Sequence, residues 1–351
     1  MPSNGSEKIY VLPPQEDWIV DRMTDEWYTH NADISTRSPQ KADVIWLMAD
    51  WAWQALWHVG LLKNKKVLTT VHHIVPEKFG PMERADFELR DTVTTAYHVF
   101  NQYTHDFIRP LTLKPIHLIK YWANQDLWRP TGTKEEFRKK YKLPLDVFLV
   151  GSFQRDTEGS SLVLLDPKPK LEKGPDKFVD YVKMLSQYRA QHQMSPVAVL
   201  LGGWRRQYIT TRLRTEAPHI MVFSTAPEDR MQKWFEYPQP VPVVWTSAKL
   251  VQSQPVPLKD FLPPLETINE LYQCLDQYAV TARQEGGPQA LIECGLLGVP
   301  TVSTPVGIAE QVLPPSAICE NVFSASPAVP NVENWKLPGG FELYRELLQS
   351  L

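Results

Sequence analysis

Short apolar runs alternate with amphipathic stretches along most of this chain, the pattern of a parallel sheet flanked by helices. In the first half, Lys8 to Leu12, Val44 to Met48, Val67 to His72, Tyr97 to Phe100 and Ile116 to Ile119 read as strands. Helices are predicted over Asp17 to Tyr28 and around Phe87 to Thr95. An extended, turn-rich piece, YWANQDLWRPT, ends at Pro130. The pattern then restarts with a helix from Lys134 to Lys142, a buried strand from Val147 to Gly151, a long loop, and a helix from Asp176 to His192. Pro196 to Leu201 follows as a strand ended by Gly202 and Gly203. Ala226 to Pro264 is rich in proline and reads as an irregular insertion around one strand, VPVVW, and Phe341 to Leu351 predicts a short amphipathic helix. No internal repeat is visible.

The stretch from Val280 to Val302 carries the most chemistry. It reads as a strand, a glycine turn, a helix and a second strand, with Pro288 suited to the first helical position and Gly298 and Pro300 to the helix exit. Gly286 and Gly287 precede the helix, so bare N–H groups and the positive end of the helix dipole form an anion site. Glu285 and Glu293 frame it, with seven residues between them. A turn with two solvated glutamates is the plain alternative. Against it, Ala290, Leu291, Ile292, Cys294, Leu296 and Leu297 make the helix apolar nearly all round, and a carboxylate buried there needs a partner.

The run EGGPQALIECGLLGVPTVSTPVGIAEQVL closely resembles the donor-binding motif of retaining glycosyltransferases of the GT-B fold, the large family four, with its Glu-x7-Glu signature. The match is dense over about thirty residues and loose over the rest. The resemblance implies two Rossmann-like α/β domains facing each other across a cleft, with a C-terminal helix returning to the first domain. Asp126, Trp128 and Pro130 fit the family's interdomain linker, which implies an acceptor domain over 1–130, a nucleotide-sugar domain over 131–335, and the returning helix over 336–351. In these terms Glu293 bonds the ribose hydroxyls, while Glu285 and the amides of Gly286, Gly287, Pro288 and Gln289 hold the sugar.

Two further groups follow from pattern and resemblance together. The loop after Gly151 holds Arg155, Lys168, Lys170 and Lys173, and Lys173-Gly174 stands directly before a helix, where a cation can neutralise a leaving diphosphate. A solvated charge run is the alternative reading, and it is the resemblance that implies Arg155 and Lys173 as the phosphate ligands. The family has a shorter spacer than the seventeen residues found between them here. VLTTVHHIVP ends a strand with two histidines, where ligands collect in an open α/β sheet, although a histidine bonding a backbone carbonyl would serve structure alone. The resemblance aligns His72 with the histidine near the reacting sugar and His73 with the acidic position. His72 and Glu285 are thus the catalytic candidates. The family's glycine loop after the first strand is replaced by Pro13-Pro14.

Composition narrows the rest. A chain of 351 residues allows two domains with separate cores, and a net charge of -3 argues against a nucleic-acid partner. Cys274, Cys294 and Cys319 lack metal-like spacing and read as reduced residues of a cytoplasmic protein. Neither a leader pattern nor a membrane-length apolar stretch is present, and Met1 to Glu7 is expected to be a disordered start. Trp46, Trp51, Trp53 and Trp57 crowd one segment, as core packing for two of them and as a sugar-stacking or interfacial acceptor surface in the sharper reading. The absence of Asp-x-Asp and of Gly-x-Gly-x-x-Gly disfavours a metal-dependent transferase and a nicotinamide enzyme. The expected function is metal-independent retaining transfer of a sugar from a nucleotide-sugar donor, with no cofactor, to a carbohydrate, lipid-linked or small-molecule acceptor. Peripheral membrane contact stays open, as do a GT-B nucleotide-sugar epimerase and a catalytically silent nucleotide-sugar-binding protein.

Overall fold

A computed structural model of the chain describes residues 7–15, 19–158, 168–203, 205–225 and 263–351. The predicted VPVVW strand lies outside them. Two compact units form: unit 1 comprises Met1–Ala123, Gln284–Gly287 and Glu333–Leu351, and unit 2 comprises Asn124–Arg283 and Pro288–Val332.

Unit 1 is built on β1 (Ile9–Val11), α1 (Ile19–His30), β2 (Val44–Leu47), α2 (Gln54–Trp57), β3 (Lys66–Val71), α3 (Pro81–Asp91), β4 (Ala96–Val99), α4 (Gln102–Ile108) and β5 (Ile116–Leu118). The five strands pair in sequence order, every pair parallel. Parallel strands are covered on both faces, and the unbroken burial of Val44, Ile45, Trp46 and Leu47 is the result. The helix expected around Phe87 begins six residues earlier. Pro81 takes its first position and the Glu83 carboxylate accepts from the Gly80 N–H at 3.0 Å, a cap stronger than the apolar period that located the prediction. α4 went unpredicted because QYTHDFI is short and polar; Asn101 starts it, its side chain accepting from the Thr104 N–H at 2.8 Å.

Unit 2 follows with α5 (Lys134–Lys140), β6 (Phe148–Ser152), α6 (Pro175–Gln191), β7 (Val197–Leu201), α7 (Gln207–Glu216), β8 (Met221–Ser224), α8 (Leu265–Gln273), β9 (Gln277–Val280), α9 (Gln289–Leu297), β10 (Thr301–Ser303) and α10 (Ala309–Val312). Its strands are again all parallel, in the order β10-β9-β6-β7-β8. The chain therefore winds outward from β6 in one direction and then returns to its other side. The gap between β6 and β9 is the topological switch point, where the loops leaving neighbouring strands diverge and open a crevice. Phe178, Val182, Val199, Leu213 and Val222 pack in the core of this unit. At α9 one expectation is corrected: Pro288 is the residue before the helix and Gln289 its first, because Pro288 has ψ 107°, outside the helical range.

The last helix, α11 (Glu342–Ser350), belongs to unit 1. The Tyr344 ring stacks on Trp46 at 5.3 Å, its hydroxyl donates to the Lys120 carbonyl at 2.9 Å, and Arg345 forks onto Asp33 at 3.1 and 2.7 Å. Beneath Tyr344 runs a buried polar relay. Trp46 Nε1 donates to Thr70 Oγ1 at 2.8 Å, Thr70 Oγ1 lies 3.0 Å from His98 Nδ1, and His98 Nε2 lies 3.0 Å from the Ile119 carbonyl. With Nε2 as donor and Nδ1 as acceptor, every atom of the relay is satisfied by a neutral imidazole.

Burial pushes the His98 pKa down to about 3, against a partial offset from the Ile119 carbonyl. An unfolded histidine binds its proton near pH 6.5, so between there and about pH 3 the unfolded chain holds the extra proton and acid destabilises the fold. Below about pH 6.5 this one group should remove up to about 1.4 kcal/mol of stability per pH unit. Urea midpoints measured from pH 7 to pH 5 check this: His98→Gln should flatten the dependence, and equal slopes in both proteins would refute it.

Candidate functional site

The unit 1 residues gather where strands end. His72 directly follows β3, half-buried, with Nε2 2.8 Å from the Met48 carbonyl after β2 and Nδ1 3.4 Å from the hydroxyl of Tyr121. The first contact makes Nε2 the protonated nitrogen and leaves Nδ1 as an acceptor. Burial holds the ring below the usual histidine pKa, opposed by the Met48 carbonyl and the Asp50 charge. Tyr121 follows β5 and stacks on Phe100, ring centroids 3.4 Å apart. Its hydroxyl is kept neutral by burial and by the nearby Glu285 carboxylate.

Gln284–Gly287 lies in this unit, and its glycines are there for space. A Cβ on Gly286 would stand 1.9 Å from the His72 carbonyl oxygen, and one on Gly287 would stand 2.1 Å from the Tyr121 ring. The Asn101 amide nitrogen donates to the Gly286 carbonyl at 2.6 Å, in a fully buried contact. The structure thus puts His72 in one unit with Glu285, Gly286 and Gly287, which the sequence had set out as a separate motif. Asn101 and Tyr121 were missed. Each follows a predicted strand in the sequence, the only signal either gives, and neither polar type at that place specifies a partner nearly two hundred residues away. The tryptophans divide evenly, Trp46 and Trp53 buried and Trp51 and Trp57 exposed. The Trp51 ring lies 5.8 Å from that of His72. His73 is half-buried beside it.

In unit 2 the loops after β6 and β9 meet at the switch point. Thr157 bridges Pro169, Lys170 N–H donates to the Asp156 carbonyl at 2.8 Å, and Glu158 N–H to the Lys168 carbonyl at 2.9 Å. This antiparallel return cancels the long spacer, so Arg155 and Lys173 stand near each other despite it. Lys170 stands with them: its pKa is lowered by burial and then by the positive charges of Arg155 and Lys173. Lys168 is exposed, whereas the Lys170 side chain is half-buried with its Nζ 3.6 Å from a Glu172 carboxylate oxygen.

Lys173 ends a 3-10 turn, and Gly174 behind it has φ 62° before Pro175 opens α6. The turn is strapped to the end of β9. Thr281 Oγ1 donates to the Gly174 carbonyl at 2.9 Å, Arg283 N–H to the Glu172 carbonyl at 2.8 Å, and Arg283 forks onto Asp176 at 2.7 and 2.5 Å. On α9, Glu293 is buried and its Oε2 accepts from the Tyr272 hydroxyl of α8 at 2.7 Å. The Tyr272 phenol is held well above its ordinary pKa by burial and by that carboxylate, so it remains a donor. Phe153, Tyr278 and Trp128 surround Tyr272 with ring centroids 4.5, 5.5 and 5.9 Å away. Pro288 and Gln289 open α9, and of these two only Gln289 has an N–H to offer. Among the described residues no three His, Cys, Asp or Glu converge as a metal site, and no helix is long and apolar enough to cross a membrane.

No family model matches the sequence, and no curated protein does. Solved structures do resemble it. HepE of Anabaena in complex with UDP and glucose aligns with a TM-score of 0.59 at 12% identity, over 91% of this chain and 87% of that one. HepE in complex with UDP-glucose gives 0.58 at 13% identity, over 90% and 87%. Sucrose-phosphate synthase of Thermosynechococcus elongatus gives 0.51 at 14% identity, over 87% and 67%. The fold is GT-B. Both GT-B units are Rossmann-like and carry their candidate residues on the carboxyl ends of parallel strands.

Gly174 tests the cradle around Lys173 directly. A Cβ there would lie 1.7 Å from the Thr281 carbonyl oxygen, and the left-handed φ adds its own cost. Gly174→Ala should lower stability by at least about 2 kcal/mol in urea denaturation. An unchanged midpoint would show that the strap is not under this constraint.

Proposed function

We propose that this chain is a retaining, metal-independent glycosyltransferase that moves a sugar from a nucleotide-sugar donor to an acceptor hydroxyl. The observation that carries this reading is the convergence of Arg155, Lys170 and Lys173 at the switch point of unit 2, against the start of its longest described helix. Three cations held by strapped backbone suit a diphosphate, whose negative charge grows as the glycosidic bond breaks. They supply the neutralisation that a metal gives in other transferases. HepE, a structural neighbour, was solved with UDP-glucose, which makes UDP-glucose the first donor to try.

In this reading Glu293 bonds the ribose hydroxyls through Oε1, with Oε2 held by Tyr272. Glu285 and the N–H groups of Gly286, Gly287 and Gln289 hold the transferred sugar, and Pro288 shapes the turn. His72, neutral in its buried place, accepts a hydroxyl of that sugar at Nδ1. The leaving phosphate takes the acceptor proton, so the acceptor oxygen attacks on the face from which the phosphate departs, the new glycosidic bond replaces the broken one there, and configuration is retained. The cytoplasm is the proposed compartment, in keeping with Cys274, Cys294 and Cys319 all being free thiols.

A thermal-shift screen with UDP-, GDP-, dTDP- and ADP-sugars identifies the donor. Nucleoside diphosphate released only when an acceptor is supplied separates transfer from epimerisation and from silent binding, and the product's anomeric configuration tests retention. Glu293→Gln should weaken donor binding by roughly 1.5–3 kcal/mol in calorimetry, since a charge-assisted pair becomes a neutral one. Undiminished affinity in a folded variant would remove Glu293 from the ribose site.

The loop makes a graded prediction. Lys173→Ala should cost on the order of 10²-fold in kcat at saturating donor, as the loss of an oxyanion donor does, with a smaller loss in binding. Lys170→Ala should fall between it and Lys168→Ala, whose exposed side chain leaves the rate within a few-fold of wild type. Equal effects at all three positions would mean a diffuse positive patch instead of a built site.

A further inference from the structure

Asn101 has a double attachment that neither the helix it starts nor the glycine turn requires of the other. Its Oδ1 caps α4 through the Thr104 N–H, which fixes the side chain, and its Nδ2 then has one place to point, the Gly286 carbonyl 2.6 Å away. The residue is 2% exposed. From this geometry we infer that Asn101 is a positioning residue that locks the Gly286–Gly287 peptide in one of its two orientations and so aims the Gly287 N–H. The inference rests on the donor reading above and deepens it, assigning Asn101 to recognition of the sugar and not of the nucleotide.

The physical reason lies in the planarity of the peptide group. The carbonyl of Gly286 and the N–H of Gly287 share one plane and point in opposite directions across a trans bond, and the one cis peptide among the described residues is Leu337–Pro338. Holding the carbonyl therefore directs the N–H away from Asn101. A peptide between two glycines is the one most able to turn over, because neither flanking residue has a Cβ to oppose the change in ψ and φ. The packing against the His72 carbonyl and the Tyr121 ring fixes where the turn sits. Neither contact specifies which way its peptide faces. Among the described residues the Asn101 amide does, since it donates to an oxygen and would meet an N–H as one donor against another.

Aspartate at this position separates the clamp from the cap. Asn101→Asp keeps an oxygen for the Thr104 N–H and is an equally good N-cap, but sets a carboxylate against the Gly286 carbonyl and draws the Gly287 N–H inward instead. Asn101→Ser also keeps a cap and is too short to reach the carbonyl. Both variants, with wild type, are measured for UDP and UDP-glucose affinity by calorimetry and for hydrogen exchange of the peptide covering 284–289 by mass spectrometry. Expected are UDP affinities equal to wild type, a loss of about tenfold or more in UDP-glucose affinity for Asn101→Asp with a smaller one for Asn101→Ser, and a change of exchange confined to that peptide, faster in Asn101→Ser and slower in Asn101→Asp, whose carboxylate holds the Gly287 N–H. Wild-type UDP-glucose affinity in Asn101→Asp, with its exchange slowed, would overturn the assignment to sugar recognition. Unchanged exchange in both variants would overturn the clamp itself. If wild type binds neither UDP nor UDP-glucose, the donor reading falls for this nucleotide and takes the sugar role with it, while the exchange result still decides whether the peptide is locked.

Discussion

Parallel pairing is the constraint from which the rest of this molecule follows. A parallel strand cannot be joined to its neighbour by a tight turn, so every connection crosses a face and buries it, and all strands of a sheet end on the same edge. The chain obeys this twice. Its candidate chemistry consequently has nowhere else to collect: Met48, His72, Asn101 and Tyr121 come just after β2, β3, β4 and β5, and Arg155 and Arg283 just after β6 and β9. The winding order adds a second level in unit 2, where reversal beside β6 separates the outgoing loops and makes room for a ligand between them.

Within that frame, position is set by backbone touching backbone. Gly174 against the Thr281 carbonyl and Gly286 against the His72 carbonyl are contacts closer than any side chain allows, and each is fastened by a hydrogen bond from a neighbouring side chain, Thr281 in one case and Asn101 in the other. A glycine alone gives access without order, because its backbone is the freest of all to move. The paired hydrogen bond restores the order. Charged groups are treated in the same way: Arg283 is bonded to Asp176 and to the Leu171 carbonyl, so the turn bearing Lys173 is fixed by groups that are not themselves the proposed ligands.

What the sequence disclosed and what it withheld divide along a physical line. Most strands were legible because burial on both faces writes them as unbroken apolar runs, although β8 was missed, and the glycine turn stood out because its two glycines and two glutamates lie close together in the chain. α4 was not, because QYTHDFI has neither length nor period and is specified by its cap. Lys170 was set apart from Lys173 because no glycine and helix start follow it, and the pairing of Asp156–Glu158 back onto Lys168–Lys170, which brings it near Arg155, left no mark in the sequence. Asn101 and Tyr121 were invisible for a related reason. Their partners, Gly286 and Gly287, lie far along the chain, and a polar residue after a strand names no partner on its own.

The two groups of residues differ in electrostatic character, each within its own unit. In unit 1 the ring of His72 and the hydroxyl of Tyr121 are both kept neutral by burial, and they form a pair of hydrogen-bonding groups suited to hydroxyls. In unit 2 the loop residues Arg155, Lys170 and Lys173 are cations near one another, and the Lys170 pKa is lowered by burial first and then by the other two charges, with Glu172 3.6 Å away and Glu158 opposing the shift. The cationic set suits an anion and the neutral set suits hydroxyls, and a diphosphate for the first and a sugar for the second are what the proposed donor would ask of each.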